Sequence, residues 1–204
     1  MGESIGIFGG SFDPVHNGHL EIADAALRQH KLGRVVFVPA RLQPHKSAEP
    51  HASGGQRLEM VRLAIRGNPK FGASDCELKR CGKSYTIDTV KEFRTTLGPG
   101  AELFLIIGSD CLRDFARWYC VKELVSLCDI IVAARPDEPL GDIDSLRDSL
   151  PSRAVETMKS LVISTTANAA SATEIRRRLR NRDAIDKLVP PMVEEYIARN
   201  NLYV

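Results

Sequence analysis

Near its N-terminus the chain reads Gly6-Ile7-Phe8-Gly9-Gly10-Ser11-Phe12-Asp13-Pro14-Val15-His16-Asn17-Gly18-His19, the most informative feature of the sequence. The apolar residues before the glycines predict a first β-strand, and apolar residues at helical spacing after His19 predict a helix. An anion can bind where a strand, a glycine-rich turn and the start of a helix follow one another, because free backbone N–H groups and the positive end of the helix dipole meet there. The two imidazoles add donors that can stabilise developing negative charge.

The spacing disfavours the commoner nucleotide motifs and leaves two alternatives. The glycines do not fit G-x-G-x-x-G, which argues against an NAD-dependent dehydrogenase, and no G-x-x-x-x-G-K-[ST] occurs. An ordinary βα turn with incidental histidines is one alternative, although two histidines, four glycines and a proline in one turn weigh against it. A zinc site on His16 and His19 is the weaker alternative, because no third ligand lies nearby in sequence. We therefore expect no metal held by the protein itself.

Composition limits the classes of partner. A length of 204 residues predicts one domain, residues 1–204, with a full core. The net charge of +2 predicts no nucleic-acid partner. No apolar run reaches membrane-spanning length, and the N-terminal residues lack the pattern of a signal peptide, so we expect no membrane partner and a cytoplasmic location. Five cysteines without a C-x-x-C pair favour reduced thiols.

Short apolar runs alternate with helical patterns along the rest of the chain. The predicted strands are 5–8, 35–38, 103–107, 130–133 and 161–163, with a weaker one at 71–74. The predicted helices are 20–27, 58–65, 87–97, 172–179 and 193–202. Continuously apolar strands in β-then-α order predict an α/β fold, a doubly wound parallel sheet with a small C-terminal helical part. We expect a loop near the ligand at 40–55 and a surface connection at 137–151.

A second candidate anion site precedes the predicted helix 172–179. Ser171-Ala172-Thr173-Glu174 has the pattern of a capping box, and a helix cap alone is the ordinary interpretation. The hydroxyls of Ser171 and Thr173, the free amides and the guanidinium of Arg176 would nevertheless converge on one helix N-terminus. That combination predicts a place for a second phosphate group.

The H-x-G-H and S-x-T-x-x-R motifs together resemble those of bacterial nicotinate-nucleotide adenylyltransferases, members of the nucleotidylyltransferase superfamily. Further similar segments extend over essentially the whole chain: Pro44-His45-Lys46, Ser84-Tyr85-Thr86, Gly108-Ser109-Asp110, Trp118-Tyr119 and Arg135-Pro136. The chain departs from the family pattern at Ser11, where threonine is commoner, and at Ala170, where isoleucine often stands. The resemblance implies a Rossmann-like nucleotidylyltransferase fold.

The resemblance also implies a reaction, in which AMP passes from ATP to nicotinate mononucleotide and gives nicotinate adenine dinucleotide and pyrophosphate, a step of NAD biosynthesis. His16 and His19 would be the catalytic donors, and Mg²⁺ would be bound through the ATP phosphates. The residues implied for ATP and phosphate binding are Gly9, Gly10, Ser11, Lys46, Gly108, Asp110, Arg135, Ser171, Thr173 and Arg176. Those implied for nicotinate mononucleotide are His45, Tyr85, Thr86, Asp110, Trp118 and Tyr119.

Several alternatives stay open at this point. Trp118 could be core packing instead of a stacking surface for the pyridine ring. Asp13 is expected to hold its loop, and both histidines are expected on the surface. The rival functions are a pantetheine-phosphate adenylyltransferase, an enzyme that prefers nicotinamide mononucleotide, and a nucleotide sensor without catalysis. The Trp118-Tyr119 and Ser84-Tyr85-Thr86 segments argue against the first two, and the retained motifs against the third. A homo-oligomer is also open.

Overall fold

The computed structural model describes residues 2–44, 49–134, 140, 142–165 and 171–204. Five residues singled out by the sequence lie outside these ranges: His45, Lys46, Arg135, Pro136 and Ala170.

Six strands and nine α-helices are found in the described ranges. The strands are β1 (Ser4–Gly10), β2 (Arg34–Pro39), β3 (Phe71–Ala73), β4 (Glu102–Gly108), β5 (Asp129–Ala134) and β6 (Val162–Ser164). The helices are α1 (Asn17–Gln29), α2 (Gly54–Ile65), α3 (Cys76–Lys79), α4 (Thr86–Leu97), α5 (Leu112–Phe115), α6 (Val121–Leu127), α7 (Ser152–Ser160), α8 (Ala172–Asn181) and α9 (Pro191–Arg199). Two 3₁₀ turns cover Ser109–Cys111 and Ile143–Asp148.

The strands form one sheet in the order β3-β2-β1-β4-β5-β6. The pairs β1–β4, β4–β5 and β5–β6 are parallel, and Ile7 lies opposite Leu105 in the first of them. The chain therefore builds the sheet outward from β1 in one direction and then outward from β4 in the other. The prediction of a doubly wound, Rossmann-like α/β fold is confirmed.

By internal contacts the chain divides into two compact units, and the prediction of a single domain stays a prediction. Unit 1 consists of Met1–Gly9, Ile22–Val35 and Tyr85–Ala167. Unit 2 consists of Gly10–Glu21, Val36–Ser84 and Asn168–Val204.

Unit 1 contains a buried parallel sheet with helices packed on it. Ile5, Leu105 and Ile131 of adjacent strands are at most 3 % exposed, and α7 packs on β5. A Cβ at Gly6 would lie 2.9 Å from the end of the Ile106 side chain, so a larger residue at this point of β1 would require that side chain to shift. The prediction of a surface connection at 137–151 is wrong in part, because the 3₁₀ turn at 143–148 buries Ile143 and packs against α7.

Unit 2 packs α2 against α9 and β3. Helix α2 begins at Gly54, earlier than predicted, because the Ser53 hydroxyl accepts from the Gln56 N–H and the two residues form a complete capping box. Helix α9 begins with Pro191 at its first position and ends at Arg199, before the predicted 202. The chain leaves the helix there because Asn201 and Tyr203 have left-handed backbones, with φ of +48° and +67°.

Among the helices of the described ranges, none has both the length and the apolar composition needed to cross a membrane.

Candidate functional site

Residues 10–19 of unit 2, called the histidine turn below, connect β1 to α1. Phe12 has a left-handed backbone, with φ of +49°, which is unfavourable for a residue with a side chain. Its ring is buried, 5.6 Å from the ring of Phe37 and 4.9 Å, edge to face, from that of His19. Packing therefore holds the backbone in a conformation that the local sequence alone would not favour.

The two histidines meet at the N-terminus of α1. The His16 carbonyl accepts hydrogen bonds from the N–H groups of His19 at 2.9 Å and Leu20 at 3.4 Å, so His16 directly precedes the helix. The two ring centroids are 3.7 Å apart, with 31° between the planes. The His16 N–H donates to Nδ1 of His19 at 3.3 Å, so in the neutral ring of His19 the proton is on Nε2. The His19 ring is thereby set to donate through Nε2.

The expected surface position is wrong for His16, which is 6 % exposed. The histidine turn folds inward with Phe12 and Val15, and His16 is carried with them. His19 is half-buried at the helix start, where a side chain can be both fixed and accessible.

The second motif starts α8. The Ser171 hydroxyl accepts from the Glu174 N–H at 3.2 Å, so Ser171 is the N-cap. Only this half of the predicted capping box forms, because the Glu174 carboxylate instead accepts from Arg177 at 2.8 Å and from Arg178 at 2.9 Å. These two guanidinium groups lower the pKa of Glu174 to about 2.

Arg176 links the second motif to the histidine turn. Its Nη1 donates to the Asp13 carbonyl at 2.7 Å, and its Nη2 lies 3.4 Å from Oγ1 of Thr173. The Nε of Arg176 is buried and finds no acceptor within the ranges described. Two helix N-termini and a guanidinium group therefore belong to one unit and are joined by a direct hydrogen bond, an arrangement that attracts an anion with several charges.

An open pocket of about 110 Å³ lies beside this link. The Ser11 hydroxyl faces it and donates to Oε1 of Gln43 at 2.8 Å. The residues that line the pocket are Ser11, Ala40, Arg41, Gln43, Glu49, Pro50, His51 and Arg176. Two predicted phosphate-binding residues, Ser11 and Arg176, thus share one pocket with the loop that follows β2. Beside Gly9 the backbone faces open space, since a Cβ there would meet no atom within 4 Å.

The Asp13 carboxylate holds the loop before α2, whereas the expectation from the sequence is that it holds its own loop by capping. It accepts from the N–H groups of His51 at 2.8 Å and Ala52 at 3.0 Å. Burial alone would raise the pKa of Asp13, but these donors and the Tyr203 hydroxyl outweigh it and lower the pKa below its ordinary value. A carboxylate that is ionised and buried in this way fixes the loop to the histidine turn.

Two positioning residues had no sequence signal. Arg57 lies on α2 with only 2 % exposed, and its Nη1 donates to the Ser11 carbonyl at 2.7 Å. Its Nε donates to the Ala52 carbonyl at 3.1 Å. Tyr203, the residue before the last, donates to Asp13 at 2.8 Å. An arginine in a helical pattern and a tyrosine at the end of a chain both resemble surface residues. Only the Ser53-x-x-Gln56 cap that begins α2 could have been found by pattern.

The remaining predicted residues belong to unit 1. The rings of Tyr85, just before α4, and Tyr119 are 4.8 Å apart, and Tyr119 is 59 % exposed. Trp118 is half-buried, with its ring 5.1 Å from that of the fully buried Phe115. Trp118 is therefore packed on one side without being a core residue. Thr86 is the first residue of α4. Gly108 is the last residue of β4, and a Cβ at this position would overlap the carboxylate of Asp110, which is exposed.

Comparisons with known proteins agree on one kind of enzyme. The cytidylyltransferase-like family model matches residues 7–178. The "Probable nicotinate-nucleotide adenylyltransferase" of Moorella thermoacetica is 40 % identical, over 98 % of this chain and 91 % of that protein. That of Synechococcus sp. strain JA-3-3Ab is 41 % identical, over 98 % and 94 %. In fold, the chain is similar to the Plasmodium falciparum nicotinic acid mononucleotide adenylyltransferase complexed with NaAD, with a TM-score of 0.76, 22 % identity and coverage of 98 % and 97 %.

Proposed function

The chain belongs to the nicotinate-nucleotide adenylyltransferase family, and we propose that it transfers AMP from ATP to nicotinate mononucleotide. The products are nicotinate adenine dinucleotide and pyrophosphate. The observation that supports this proposal most is the hydrogen bond between Arg176 and Asp13, because it joins the starts of α1 and α8 and their two phosphate motifs. A triphosphate carries several negative charges, and binding it requires several hydrogen-bond donors close together.

The reaction needs alignment and charge stabilisation more than proton transfer. A phosphate oxygen of the mononucleotide attacks the α-phosphorus of ATP, and the bond from that phosphorus to the oxygen bridging to the β-phosphorus breaks. The attacking group is a phosphate monoester that is already anionic at neutral pH, so no general base is required. Catalysis then consists of bringing two anions into line and stabilising the charge that moves to the leaving pyrophosphate.

We assign the donors by their positions in the two motifs. Nε2 of His19 donates to ATP phosphate oxygens. The His16 ring, whose centroid is 3.7 Å from that of His19, helps to stabilise the same phosphate charge. The amides of Gly9 and Gly10 and the Ser11 hydroxyl would meet the same phosphates. Ser171, Thr173 and Arg176, at the start of α8, would hold the β- and γ-phosphates. Lys46 and Arg135 stay predicted phosphate ligands outside the described residues.

Mg²⁺ would enter with ATP as part of the substrate. In the ranges described, no three His, Cys, Asp or Glu side chains lie close enough to hold a metal. When bound, the ion would neutralise phosphate charge, and the protein side chains named above would orient the same oxygens. A cytoplasmic location and a homo-oligomer stay proposals from composition and from the family alone.

We assign the mononucleotide to the residues of unit 1. Trp118, which is half-buried and whose ring lies 5.1 Å from that of Phe115, would stack on the pyridine ring. The backbone amides near Thr86, at the start of α4, and Tyr119 would meet the carboxylate of nicotinate. The Asp110 carboxylate would accept from ribose hydroxyls. His45 stays a predicted ligand outside the described residues, and Tyr85 supports the Tyr119 ring.

Labelled ATP tests the reaction class directly. With ATP labelled in its α-phosphate and nicotinate mononucleotide, the label should appear in the dinucleotide, whereas a γ-label should appear only in pyrophosphate. Phosphopantetheine in place of the mononucleotide should give no labelled product. A γ-label in inorganic phosphate would instead indicate hydrolysis, and binding of ATP without any product would indicate a sensor.

A further inference from the structure

We infer that Tyr203 is a positioning residue for the histidine turn and acts through the Asp13 carboxylate. The inference rests on the proposed function, since the effect of positioning is measured through AMP transfer. Tyr203 lies at the end of the chain and outside both phosphate motifs, so the motifs give no reason to expect this role.

The contact is direct and buried. The Tyr203 hydroxyl donates to Oδ1 of Asp13 at 2.8 Å, and the same oxygen accepts from the Ala52 N–H at 3.0 Å. The Asp13 side chain is only 5 % exposed, so protein donors must replace most of the water around its charge. Burial and the nearby Asp13 charge raise the pKa of Tyr203, so its hydroxyl keeps the proton it donates. Removing this donor leaves a buried carboxylate partly unsatisfied.

The end of the chain is bent toward this contact. The Leu202 N–H donates to the Ile197 carbonyl at 3.1 Å, and the residues on either side of Leu202 have left-handed backbones. Such conformations are unfavourable for residues with side chains and persist where other interactions compensate. The hydrogen bond to Asp13 is a compensating interaction of the required kind at Tyr203. Helix α9, which carries this tail, is itself fixed by packing on α2.

The C-terminal segment (171–204) contacts the histidine turn on both sides of His16. On one side Arg176 donates to the Asp13 carbonyl and Tyr203 to its carboxylate. On the other side, the Asn17 N–H donates to the Leu188 carbonyl at 2.9 Å, and its side-chain amide donates to the Lys187 carbonyl at 3.0 Å. The orientation of the histidines thus depends on the C-terminal segment. Of these contacts, the Tyr203 hydroxyl can be removed alone, without changing a motif residue or the backbone.

The test is Tyr203→Phe, which keeps the ring and deletes the hydroxyl. Misaligned donors weaken transition-state binding more than ground-state binding, so kcat should fall about tenfold while KM for ATP changes by less than about twofold. Both constants are measured by pyrophosphate release at a temperature where circular dichroism shows the variant fully folded. The matched control is Tyr196→Phe, on α9 of the same segment, whose hydroxyl has no hydrogen bond with any other described residue. It should keep the wild-type kcat.

A double-mutant cycle with Asp13→Ala, which removes the oxygen that accepts from Tyr203, identifies the route. If Tyr203 acts through Asp13, adding Tyr203→Phe to Asp13→Ala should lower kcat much less than it does in the wild type. The inference is overturned by an unchanged kcat in Tyr203→Phe, by equal losses in Tyr196→Phe, or by full additivity with Asp13→Ala. A Tyr203→Phe protein that does not fold also overturns it, because the hydroxyl would then serve the whole fold. The wild-type rate in the same assay tests the proposed function separately.

Discussion

Among single residues, the two histidines contribute most to the proposed mechanism. If they donate to charge that grows in the transition state, His19→Ala should lower kcat by about 10²–10³ and raise KM for ATP much less. Because His16 is buried, we choose His16→Asn, which removes the ring but keeps more of the side chain than alanine does. The double variant should lose less than the product of the single losses, since rings 3.7 Å apart serve one charge.

Steady-state kinetics at saturating Mg·ATP measures these losses. A kcat near that of the wild type for His19→Ala would mean that the H-x-G-H motif is an ordinary turn without a catalytic role. A zinc site would behave differently, because chelation alone would abolish activity and added zinc would restore it.

Trp118 is the second residue that carries a prediction. Trp118→Ala should raise KM for the mononucleotide and leave KM for ATP unchanged, with about 1–3 kcal/mol lost from stacking. Because this is the only tryptophan of the chain, fluorescence of the wild type should change on titration with the mononucleotide. A variant that unfolds, together with fluorescence that does not respond to the ligand, would mean that Trp118 serves packing and does not bind the mononucleotide.

At the scale of elements, Asp13 predicts how stability depends on pH. Its pKa is lowered in the folded chain from an ordinary 3.8, so the ionised form stabilises the fold above about pH 4. This contribution is lost as pH falls from that value through the lower, folded pKa. Asp13→Asn should therefore reduce the free energy of unfolding by about 1–3 kcal/mol at pH 7, with a difference that narrows below pH 4.

Urea unfolding at pH 7, 5, 4 and 3 measures this difference, and Asp186→Asn is the control because Asp186 is exposed. A difference between Asp13→Asn and the wild type that stays constant over the whole range would mean that the Asp13 charge does not hold the loop.

The start of α8 carries a prediction that separates capping from phosphate binding. Ser171→Ala should cost about 1 kcal/mol of stability by loss of the cap and should also raise KM for ATP. Asp142→Ala removes another side-chain cap, in which the Asp142 carboxylate accepts from the Asp144 N–H at 3.0 Å, at the 3₁₀ turn of unit 1. It should lower stability without changing KM. Equal KM values for the two variants would leave Ser171 as a cap only.

Some elements could be predicted from sequence and others could not, for physical reasons. The strands and long helices near the motifs follow from apolar runs and 3.6-residue periodicity, and the structure extends most of them by one to three residues. Helices α3 and α5 have four residues each, too few to show a period. The left-handed Phe12, the buried Arg57 and the Tyr203 contact depend on tertiary packing, which local patterns do not carry.

At the scale of the whole molecule, the proposed function is defined by the mononucleotide that the protein prefers as a substrate. The carboxylate of nicotinate carries a charge that the amide of nicotinamide lacks. Hydrogen-bond donors arranged for a carboxylate are poorly matched by an amide. Such mismatched buried polar groups can make kcat/KM for the two substrates differ by a factor of about 10⁴. Discrimination of this kind would also separate the chain from the rival that prefers the amide.

The most direct measurement is kcat/KM for pyrophosphate release with Mg·ATP and each of the two mononucleotides, on the wild-type protein under one set of conditions. We expect a higher kcat/KM for nicotinate mononucleotide, by a factor that can approach about 10⁴. Equal values, or faster turnover of nicotinamide mononucleotide, would contradict it.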